Sequence, residues 1–284
     1  MDVSIILVNY NTKDLTLECI SSIYEKTSGI DFEIFVVDNA SQDGSALAIK
    51  ETFPNVKLIE NKENIGFGRA NNIAIKQSNA KYVFLLNTDT ILINNAVKIL
   101  FDIIESDEKI GACGGNLFDK EMNHVHSYGY LNTPKRSLLR LLGLRYFLKD
   151  FKNDLERDKF QEVEQVIGAD LMLRKDMLDK IGSFNEKFFL YFEESELQHR
   201  IKKAGYKILY TPEAKIFHLE GASTKQNKKF RRQIITESEY LYFSLCFPEI
   251  PKIFLRLLCT IAQLYRLFTA PSYTFKAFKY IWNT

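Results

Sequence analysis

The sequence predicts an α/β protein with a mostly parallel sheet flanked by helices. Apolar, β-branched runs recur at residues 3–8, 33–37, 56–60 and 82–86, and a segment of helical character follows each of them. The first run, 3–8, is apolar apart from Ser4, as expected for a strand that is buried on both faces of a sheet. Strands that alternate with helices build parallel sheets through right-handed crossovers.

The other elements follow in chain order. Thr12 can cap a helix that runs to Thr27. Further helices are predicted at 43–52, 66–77 (starting at Gly66), about 95–106 and 193–204, and further strands near 110–117, 206–210 and 214–218. Residues 119–160 are predicted to form a variable, partly helical excursion. The tail from about residue 226 is predicted to be helical, with breaks near Pro248, Pro251 and Pro271.

Length and composition exclude several protein classes. With 284 residues, 46% hydrophobic and 26% charged, the chain fits one large domain with an appendage, and not a disordered, collagen-like or coiled-coil protein. Its four cysteines show no CxxC pairing, which predicts reduced thiols and neither a disulfide framework nor a zinc site. A signal peptide and a membrane-spanning segment are not expected, so the predicted location is cytoplasmic.

Polar residues follow three of the predicted strands: Asn9-Tyr10, Asp38-Asn39 and Asn87-Thr88-Asp89. Ligands of parallel sheets bind at the carboxyl ends of the strands, so these residues should converge on one crevice. Asp89 can hold a divalent cation. Alternatively it caps the next helix, although it lies several residues before the predicted start of that helix. Asp38 can bind a nucleoside or form an Asx turn. The absence of GxGxxG and GxxxxGK[ST] argues against NAD-binding and P-loop proteins.

Two later features have competing interpretations. The acidic run Glu193-Glu194-Ser195-Glu196 follows the apolar stretch FFLYF. A carboxylate there can be partly desolvated and act as a general base, or the run can be an acidic first helical turn. His218 ends an apolar strand and can be a ligand or an ordinary structural histidine.

Seven segments, taken together and in this order, resemble the inverting family 2 glycosyltransferases of the GT-A (Rossmann-like) fold, and more narrowly a bacterial rhamnosyltransferase-type branch. The resemblance covers about residues 2–224. The segments are VSIILVNYN, VVDNASQDGS, NIGFGRANN, FLLNTDT, GADLMLRKD, GSFNEKFFLYFEESELQHRIKKAGY and AKIFHLEGAST.

The resemblance implies a nucleotide-sugar donor, dTDP-rhamnose or a UDP-sugar, and transfer by a single displacement with inversion. It also implies a divalent cation, Mg²⁺ or Mn²⁺, and a glycan or polyprenyl-linked acceptor. Residues that match the family's donor site are Asn9, Tyr10, Asn11, Asp38, Gly66, Arg69 and Asn72.

The same resemblance implies roles for the remaining site residues. Asn87 and Asp89 occupy the DxD motif, in which Asp89 is the metal ligand, and His218 joins the metal or the diphosphate. Glu194 matches the catalytic base, and Asp170 falls on the acceptor side. Two departures are Asn87 in place of an acid and Glu-Glu in place of Glu-Asp, so the base can be Glu194 or Glu193. The absence of QxxRW predicts a non-processive enzyme.

The predicted domains are a catalytic domain, 1–224, and a basic amphipathic helical extension, 225–284. The catalytic domain comprises a nucleotide-binding half (1–118), the excursion (119–160) and an acceptor half (161–224). The extension carries ten Lys/Arg against three Glu, whereas the catalytic domain carries 28 basic and 33 acidic residues.

Within the extension, a mostly polar stripe of Lys252, Arg256, Cys259, Gln263 and Arg266 contrasts with an apolar remainder. The extension can bind an anionic membrane surface at the inner face of the cell membrane. Alternatively, it packs its apolar side on the catalytic domain or on a second subunit. Nucleic-acid binding is not expected.

The sequence therefore predicts a metal-dependent glycosyltransferase of surface polysaccharide synthesis. Two alternatives stay open at this point. One is a sugar-phosphate nucleotidyltransferase, and the other is a catalytically weak scaffold of the same fold that binds a partner.

Overall fold

The computed structural model describes residues 1–144, 157–219, 228–264 and 271–283. Within these ranges the chain forms one large sheet with helices on both faces, followed by three C-terminal helices. The predicted boundary at residues 224 and 225 lies outside the described residues.

The strands are β1 (Val3–Asn9), β2 (Phe32–Asp38), β3 (Lys57–Glu60), β4 (Tyr82–Leu86), β5 (Thr90–Leu92), β6 (Ile110–Phe118), β7 (Tyr128–Gly129), β8 (Gln161–Glu162), β9 (Gln165–Val166), β10 (Asp170–Arg174) and β11 (Lys207–His218). The helices are α1 (Lys13–Lys26), α2 (Ser45–Thr52), α3 (Phe67–Gln77), α4 (Ala96–Ser106), α5 (Pro134–Leu141), α6 (Lys175–Ile181), α7 (Glu193–Lys203), α8 (Lys228–Cys246), α9 (Lys252–Ile261) and α10 (Pro271–Asn283).

The large sheet has the strand order β3-β2-β1-β4-β10-β6-β11-β5, and β8 pairs with β11. The first half, β3 to β4, is entirely parallel. Strand β10 is antiparallel to both β4 and β6, whereas β6 and β11 are parallel. The parallel half therefore places the ends of β1, β2 and β4 at one edge.

Two apolar cores cover the two faces of the sheet, because successive side chains of a strand point to opposite faces. Ile5 and Leu7 of β1 pack with Ile20 of α1 and Leu100 of α4. Ile6 belongs to the other core, which includes residues of α3 and α7. Burial on both faces explains why β1 and β4 are almost entirely apolar, whereas Lys57 and Glu60 of the edge strand β3 are exposed.

The strand predictions at 3–8, 33–37, 56–60 and 82–86 are confirmed within one residue or two at each end. The prediction of separate strands at 206–210 and 214–218 is wrong, because both belong to β11. Its pairing with β6 shifts register between Tyr210 and Lys215. Pro212 lies within this irregularity, which is why the sequence pattern indicates two strands there. Strand β5 is not among the sequence expectations.

The C-terminal helices build a third apolar core against the loop that precedes α7. Phe188 of that loop packs with Tyr242 and Phe243 of α8, Leu255 of α9 and Ile281 of α10. The predicted breaks are confirmed, since α8 ends before Pro248, α9 follows Pro251 and α10 begins at Pro271. None of the described helices combines the length and apolarity that a membrane crossing requires.

Helix α9 is oriented differently from the expectation that its apolar side packs on the protein. Cys259 and Gln263 of the polar stripe are buried, because Leu255 and Leu258 beside them fill the third core. Arg266 and Phe268 lie outside the described residues. The exposed apolar side chains of the 252–264 segment are those of Ile253, Phe254, Leu257, Ile261 and Leu264.

Candidate active site

The carboxyl ends of β1 and β2 meet in a buried polar network. Asn9 and Asp38 are opposite each other in the strand register, and Asn9 Nδ2 donates to Asp38 Oδ1 at 2.5 Å. The backbone N–H of Ser41 donates to Asp38 Oδ2 at 3.0 Å. The Asx-type turn weighed for Asp38 is therefore present, and the carboxylate is held at the base of the crevice.

Asn9 also fixes the start of α1. Its Oδ1 accepts hydrogen bonds from Thr12 Oγ1 (2.7 Å) and Thr16 Oγ1 (2.8 Å). Thr12 stands at the N-cap position, but its side chain makes no capping hydrogen bond. The Thr12 and Thr88 hydroxyls lie 3.0 Å apart, so this network connects the end of β1 with the turn after β4.

Two residues with left-handed backbone conformations shape the loops above this network. Asn11 has φ 55° and Ala40 has φ 63°. The N–H of Asn11 donates to Ser41 Oγ (2.9 Å), and the N–H of Gln42 donates to Asn11 Oδ1 (2.7 Å). Tyr10, beside Asn11, is 41% exposed. Such conformations are costly for residues other than glycine and concentrate at functional sites.

The turn after β4 brings Asp89 next to His218. Strand β5 pairs antiparallel with β11, and His218 is opposite Thr90 in that register. His218 Nε2 lies 3.5 Å from Asp89 Oδ1. The backbone of Asn87 donates to the carbonyl of Ala169 at 2.9 Å, which places Asn87 beside Asp170 and the start of β10.

Asp89 and His218 offer donor atoms that suit a divalent cation. Asp89 is buried, and His218 Nδ1 is a buried nitrogen without a hydrogen-bond partner. In the described part of the chain, no group of three or more His, Cys, Asp or Glu side chains could hold a metal ion. Oxygens of a bound diphosphate can supply further ligands to a cation at this pair, since they suit Mg²⁺ and Mn²⁺.

The acidic pair opens α7 after a strained turn. Tyr191 and Phe192 have φ values of 69° and 66°. Glu193 is buried with Oε2 unpartnered. Desolvation by burial raises the pKa of Glu193 well above its ordinary value, and the neighbouring Glu194 charge raises it further. Burial also raises the pKa of Glu194. The run is thus both a first helical turn and a desolvated carboxylate pair, so the two interpretations coexist.

The loop before α7 is attached to the start of α3. Gly66 has φ 90°, and a Cβ there would lie 2.4 Å from the carbonyl oxygen of Phe189. Arg69 Nε donates to the carbonyl of Glu186 (2.8 Å), and Asn72 Nδ2 donates to that of Phe184 (2.9 Å). These three residues, expected to line the donor site, hold the segment that delivers Glu193 and Glu194.

Gly168 and Asp170 connect the acidic pair with the turn that carries Asp89. A Cβ on Gly168 would meet Glu194 Cγ at 3.4 Å, so the Glu194 side chain lies over Gly168. Asp170 is fully buried, its Oδ2 accepts from the N–H of Gly115 at 2.6 Å, and its Oδ1 is unpartnered. Burial raises the pKa of Asp170 well above its ordinary value.

A cleft of about 530 Å³ opens beside Glu194. Three arginines from separate segments line it: Arg140, Arg157 and Arg231. Tyr191 also lines it, with a buried, unpartnered hydroxyl and with the Arg231 guanidinium 5.5 Å from its ring centre. The sequence expectations do not include these arginines. The basic stretch at residues 225–232 is a sequence signal for Arg231 alone.

Comparison with known proteins agrees with this geometry. The family model described as Glycosyl transferase family 2 matches residues 4–182. The chain belongs to this family. The "N-acetylglucosaminyl-diphospho-decaprenol L-rhamnosyltransferase" of Mycobacterium tuberculosis is 23% identical over 227 residues, which cover 74% of each chain. The "Low-salt glycan biosynthesis hexosyltransferase Agl10" of Haloferax volcanii is 28% identical over 211 residues, covering 73% of this chain and 64% of the relative.

Two solved structures share the fold. A mannosyltransferase from Pyrobaculum calidifontis, in complex with GDP-Man and Mn²⁺, matches with a TM-score of 0.59 and 21% identity, over 98% of this chain and 73% of that one. GalNAc-T7 with UDP, GalNAc and Mn²⁺ matches with a TM-score of 0.60 and 15% identity, over 88% of this chain and 52% of that one. The predicted GT-A fold is confirmed, and so is the prediction of a family 2 glycosyltransferase over the nucleotidyltransferase alternative.

Proposed function

We propose that this family 2 glycosyltransferase is an inverting, metal-dependent, non-processive enzyme of surface polysaccharide synthesis. One observation carries the proposal: Asn87, two residues before Asp89, donates its backbone N–H to the carbonyl of Ala169, and the neighbouring Gly168 lies under the Glu194 side chain. In this proposal, Asp89 belongs to the cation site for the leaving group, and Glu194 is the carboxylate base for the acceptor. An inverting displacement requires these two groups on opposite sides of the reacting carbon.

The donor in this proposal is a nucleotide-sugar, dTDP-rhamnose or a UDP-sugar. The nucleoside lies over the Asn9–Asp38 network, with Tyr10 and Asn11 above it. Gly66 and Asn87 border the sugar and diphosphate. The rhamnosyltransferase name of the mycobacterial relative supports dTDP-rhamnose.

Asp89 and His218 are the proposed residues that hold Mg²⁺ or Mn²⁺, together with the donor diphosphate. When bound, such a cation neutralises the charge that develops on the departing nucleoside diphosphate. Asn87 supplies an amide where the DxD motif has a carboxylate, so the protein contributes less negative charge to this site.

Glu194 is the proposed base because its side chain lines the cleft, whereas Glu193 Oε2 is enclosed by protein. The Glu194 carboxylate accepts the proton of the acceptor hydroxyl. The acceptor oxygen forms its bond to the anomeric carbon as the bond from that carbon to the diphosphate oxygen breaks. Burial raises the pKa of both glutamates, and the Glu194 charge raises that of Glu193 further. Asp170 accepts a hydrogen bond from the N–H of Gly115 and so holds the backbone of β6 on the proposed acceptor side.

The acceptor is proposed to be lipid-linked and to carry a diphosphate. Three arginines beside Glu194 match the charge of a diphosphate, because guanidinium groups bind phosphate oxygens in bidentate fashion. The mycobacterial relative is named for a diphospho-decaprenol substrate. An enzyme with such an acceptor works at the inner face of the cell membrane, in keeping with the net charge of +7 on residues 225–284.

The testing experiment is thermal denaturation with UDP, dTDP, GDP or CMP, each with and without Mn²⁺. A ligand that binds the folded state raises the melting temperature by an amount set by its concentration and Kd. We expect stabilisation by dTDP or UDP that depends on Mn²⁺, and then hydrolysis of the matching nucleotide-sugar. If no nucleotide stabilises the folded protein, the scaffold alternative replaces this proposal.

A further inference from the structure

Helix α9 presents a wide apolar face to solvent. Its exposed side chains, with that of Leu264 just beyond its end, are between 39% and 52% accessible. With 100° of rotation per residue, they fall within about 100° of arc around the helix. They are Ile253, Phe254, Leu257, Ile261 and Leu264.

The end of α5 extends this surface. Leu141, Leu142 and Leu144 are exposed, and α5 contacts α9. Leu138 packs against the third core, which holds α5 in place. These two segments supply eight of the 18 exposed large apolar residues in the described ranges. Apolar side chains are normally scattered singly over a soluble surface, so such concentration marks an interaction site.

The two segments that form the α5–α9 face carry charges of one sign, whereas Glu164 and Glu239 from other segments accept hydrogen bonds from Arg136 and from Ser137 of α5. Residues 131–144 and 250–284 contain no Asp or Glu. Lys135 and Arg140 on α5 and Lys252 on α9 are exposed. An apolar face bordered by cations complements an anionic lipid surface. It suits a second copy of the chain poorly, because a twofold contact would bring like charges together.

The α5–α9 face also adjoins the acceptor cleft. Arg140 lines the cleft, and the next two residues, Leu141 and Leu142, are exposed on the face. A single helical turn thus leads from the arginines near Glu194 to the apolar surface.

We propose that the α5–α9 face docks on an anionic lipid bilayer and holds the mouth of the acceptor cleft at headgroup level. The docking itself stands on exposure and charge, whereas its use in presenting a lipid-linked acceptor rests on the proposed function. The bilayer takes up the apolar side chains, and the bordering Lys and Arg lie among the anionic headgroups.

The test is co-sedimentation of the full chain with phosphatidylcholine vesicles, with and without phosphatidylglycerol. We expect binding that increases with phosphatidylglycerol and decreases with salt. The double variant Leu257→Ser/Ile261→Ser should bind the anionic vesicles about tenfold more weakly. Leu47→Ser is the matched control, because Leu47 is 62% exposed on the distant α2 and should leave binding unchanged.

Melting temperatures of all three proteins show that each is folded. Failure of the wild type to bind anionic vesicles would overturn the proposal, as would equal binding by the double variant. Sedimentation velocity adds a further outcome. A concentration-dependent dimer that dissociates in the double variant, without vesicle binding, would assign the face to a second copy. Because these readouts need no sugar transfer, they stand or fall independently of the proposed enzyme activity.

Discussion

The carbonyl oxygen of Phe189 lies where a Cβ on Gly66 would have to be placed, at a separation of 2.4 Å. The N–H of Phe67 donates to the same oxygen at 3.0 Å. The beginning of α3 and the loop that leads to the acidic pair are thereby joined backbone to backbone. The position of Glu194 consequently depends on a residue far from it in sequence.

Replacing Gly66 by alanine should displace this loop. We expect Gly66→Ala to lower the free energy of unfolding by about 2–3 kcal/mol, the usual cost of severe local backbone strain. Because the loop positions Glu194, kcat should also fall by more than about tenfold. Gly44→Ala is the control, because Gly44 has φ 80° but no atom within 4 Å of its added Cβ. It should cost about 1 kcal/mol and leave kcat unchanged. Equal kcat for both variants would contradict the role of the Gly66 contact.

The two glutamates should respond differently to loss of charge. Glu194→Gln should reduce kcat by about 10²–10⁴-fold with nucleotide affinity retained, the usual loss for a general base. Glu193→Gln resembles the protonated form of Glu193 and should reduce kcat by less than about tenfold. Because burial raises the Glu194 pKa, wild-type kcat should fall with decreasing pH at values above the ordinary glutamate pKa. Steady-state kinetics measure kcat of both variants and of the wild type over pH. A larger loss of kcat in Glu193→Gln than in Glu194→Gln would make Glu193 the base.

Removing the Asp89 charge should abolish metal-dependent donor binding. In Asp89→Asn, Mn²⁺ should no longer increase stabilisation by the nucleoside diphosphate, and kcat/KM should fall at least about 100-fold, since a carboxylate ligand is lost. Asp102→Asn serves as the control, because the Asp102 side chain is 56% exposed on α4 and pairs with Lys98. An unchanged Mn²⁺ effect in Asp89→Asn would place the cation elsewhere.

The buried Asp170 should make stability fall as pH rises. Its folded-state pKa lies above the unfolded value, so between the two the folded protein keeps a proton that the unfolded chain releases. The free energy of unfolding should therefore be larger near pH 4 than near pH 7, with a slope of about 1.4 kcal/mol per pH unit from this group. Urea denaturation of Asp170→Asn, which keeps an acceptor for Gly115, should show a shallower slope. If the free energy of unfolding has the same pH slope in Asp170→Asn as in the wild type, the pH dependence of stability comes from Glu193 instead.

Arg231 and Arg232 are neighbours on α8, but Arg231 is the one that lines the cleft. Arg231→Gln should raise KM for a diphosphate-bearing acceptor about tenfold, the usual loss of a charge-assisted hydrogen bond, with donor KM unchanged. Arg232→Gln should leave both values unchanged. Initial-rate measurements with each substrate varied would reveal a donor-side role for Arg231 if its donor KM rose instead.

Local sequence patterns were sufficient for the elements that depend on local burial. The strand at residues 82–86 is apolar throughout and that at 3–9 is apolar except for Ser4 and Asn9, and such near-continuous hydrophobicity indicates burial on both faces. Strand β5 has only three residues, and its pairing with β11 is a long-range contact that leaves no local pattern. Helical periodicity likewise identified the two sides of α9 but not which one faces the protein.

The same distinction holds for the candidate site. Asp38 and Asp89 were identifiable because each follows an apolar strand, and Glu194 because motif order carried the family resemblance. The arginines of the cleft come from three segments without a shared pattern. Their convergence depends on how α5 and α8 pack, which requires the folded structure.

Strand β5 has a consequence for how the protein is made. During translation, the first four strands and their helices emerge early and contain the Asn9–Asp38 pair. Asp89 cannot meet His218 until β11 has left the ribosome and paired with β5. Since domains generally fold as units during synthesis, a nascent chain arrested before residue 218 would lack the Asp89–His218 pair. Under the proposed function, competence for sugar transfer therefore arises late in translation.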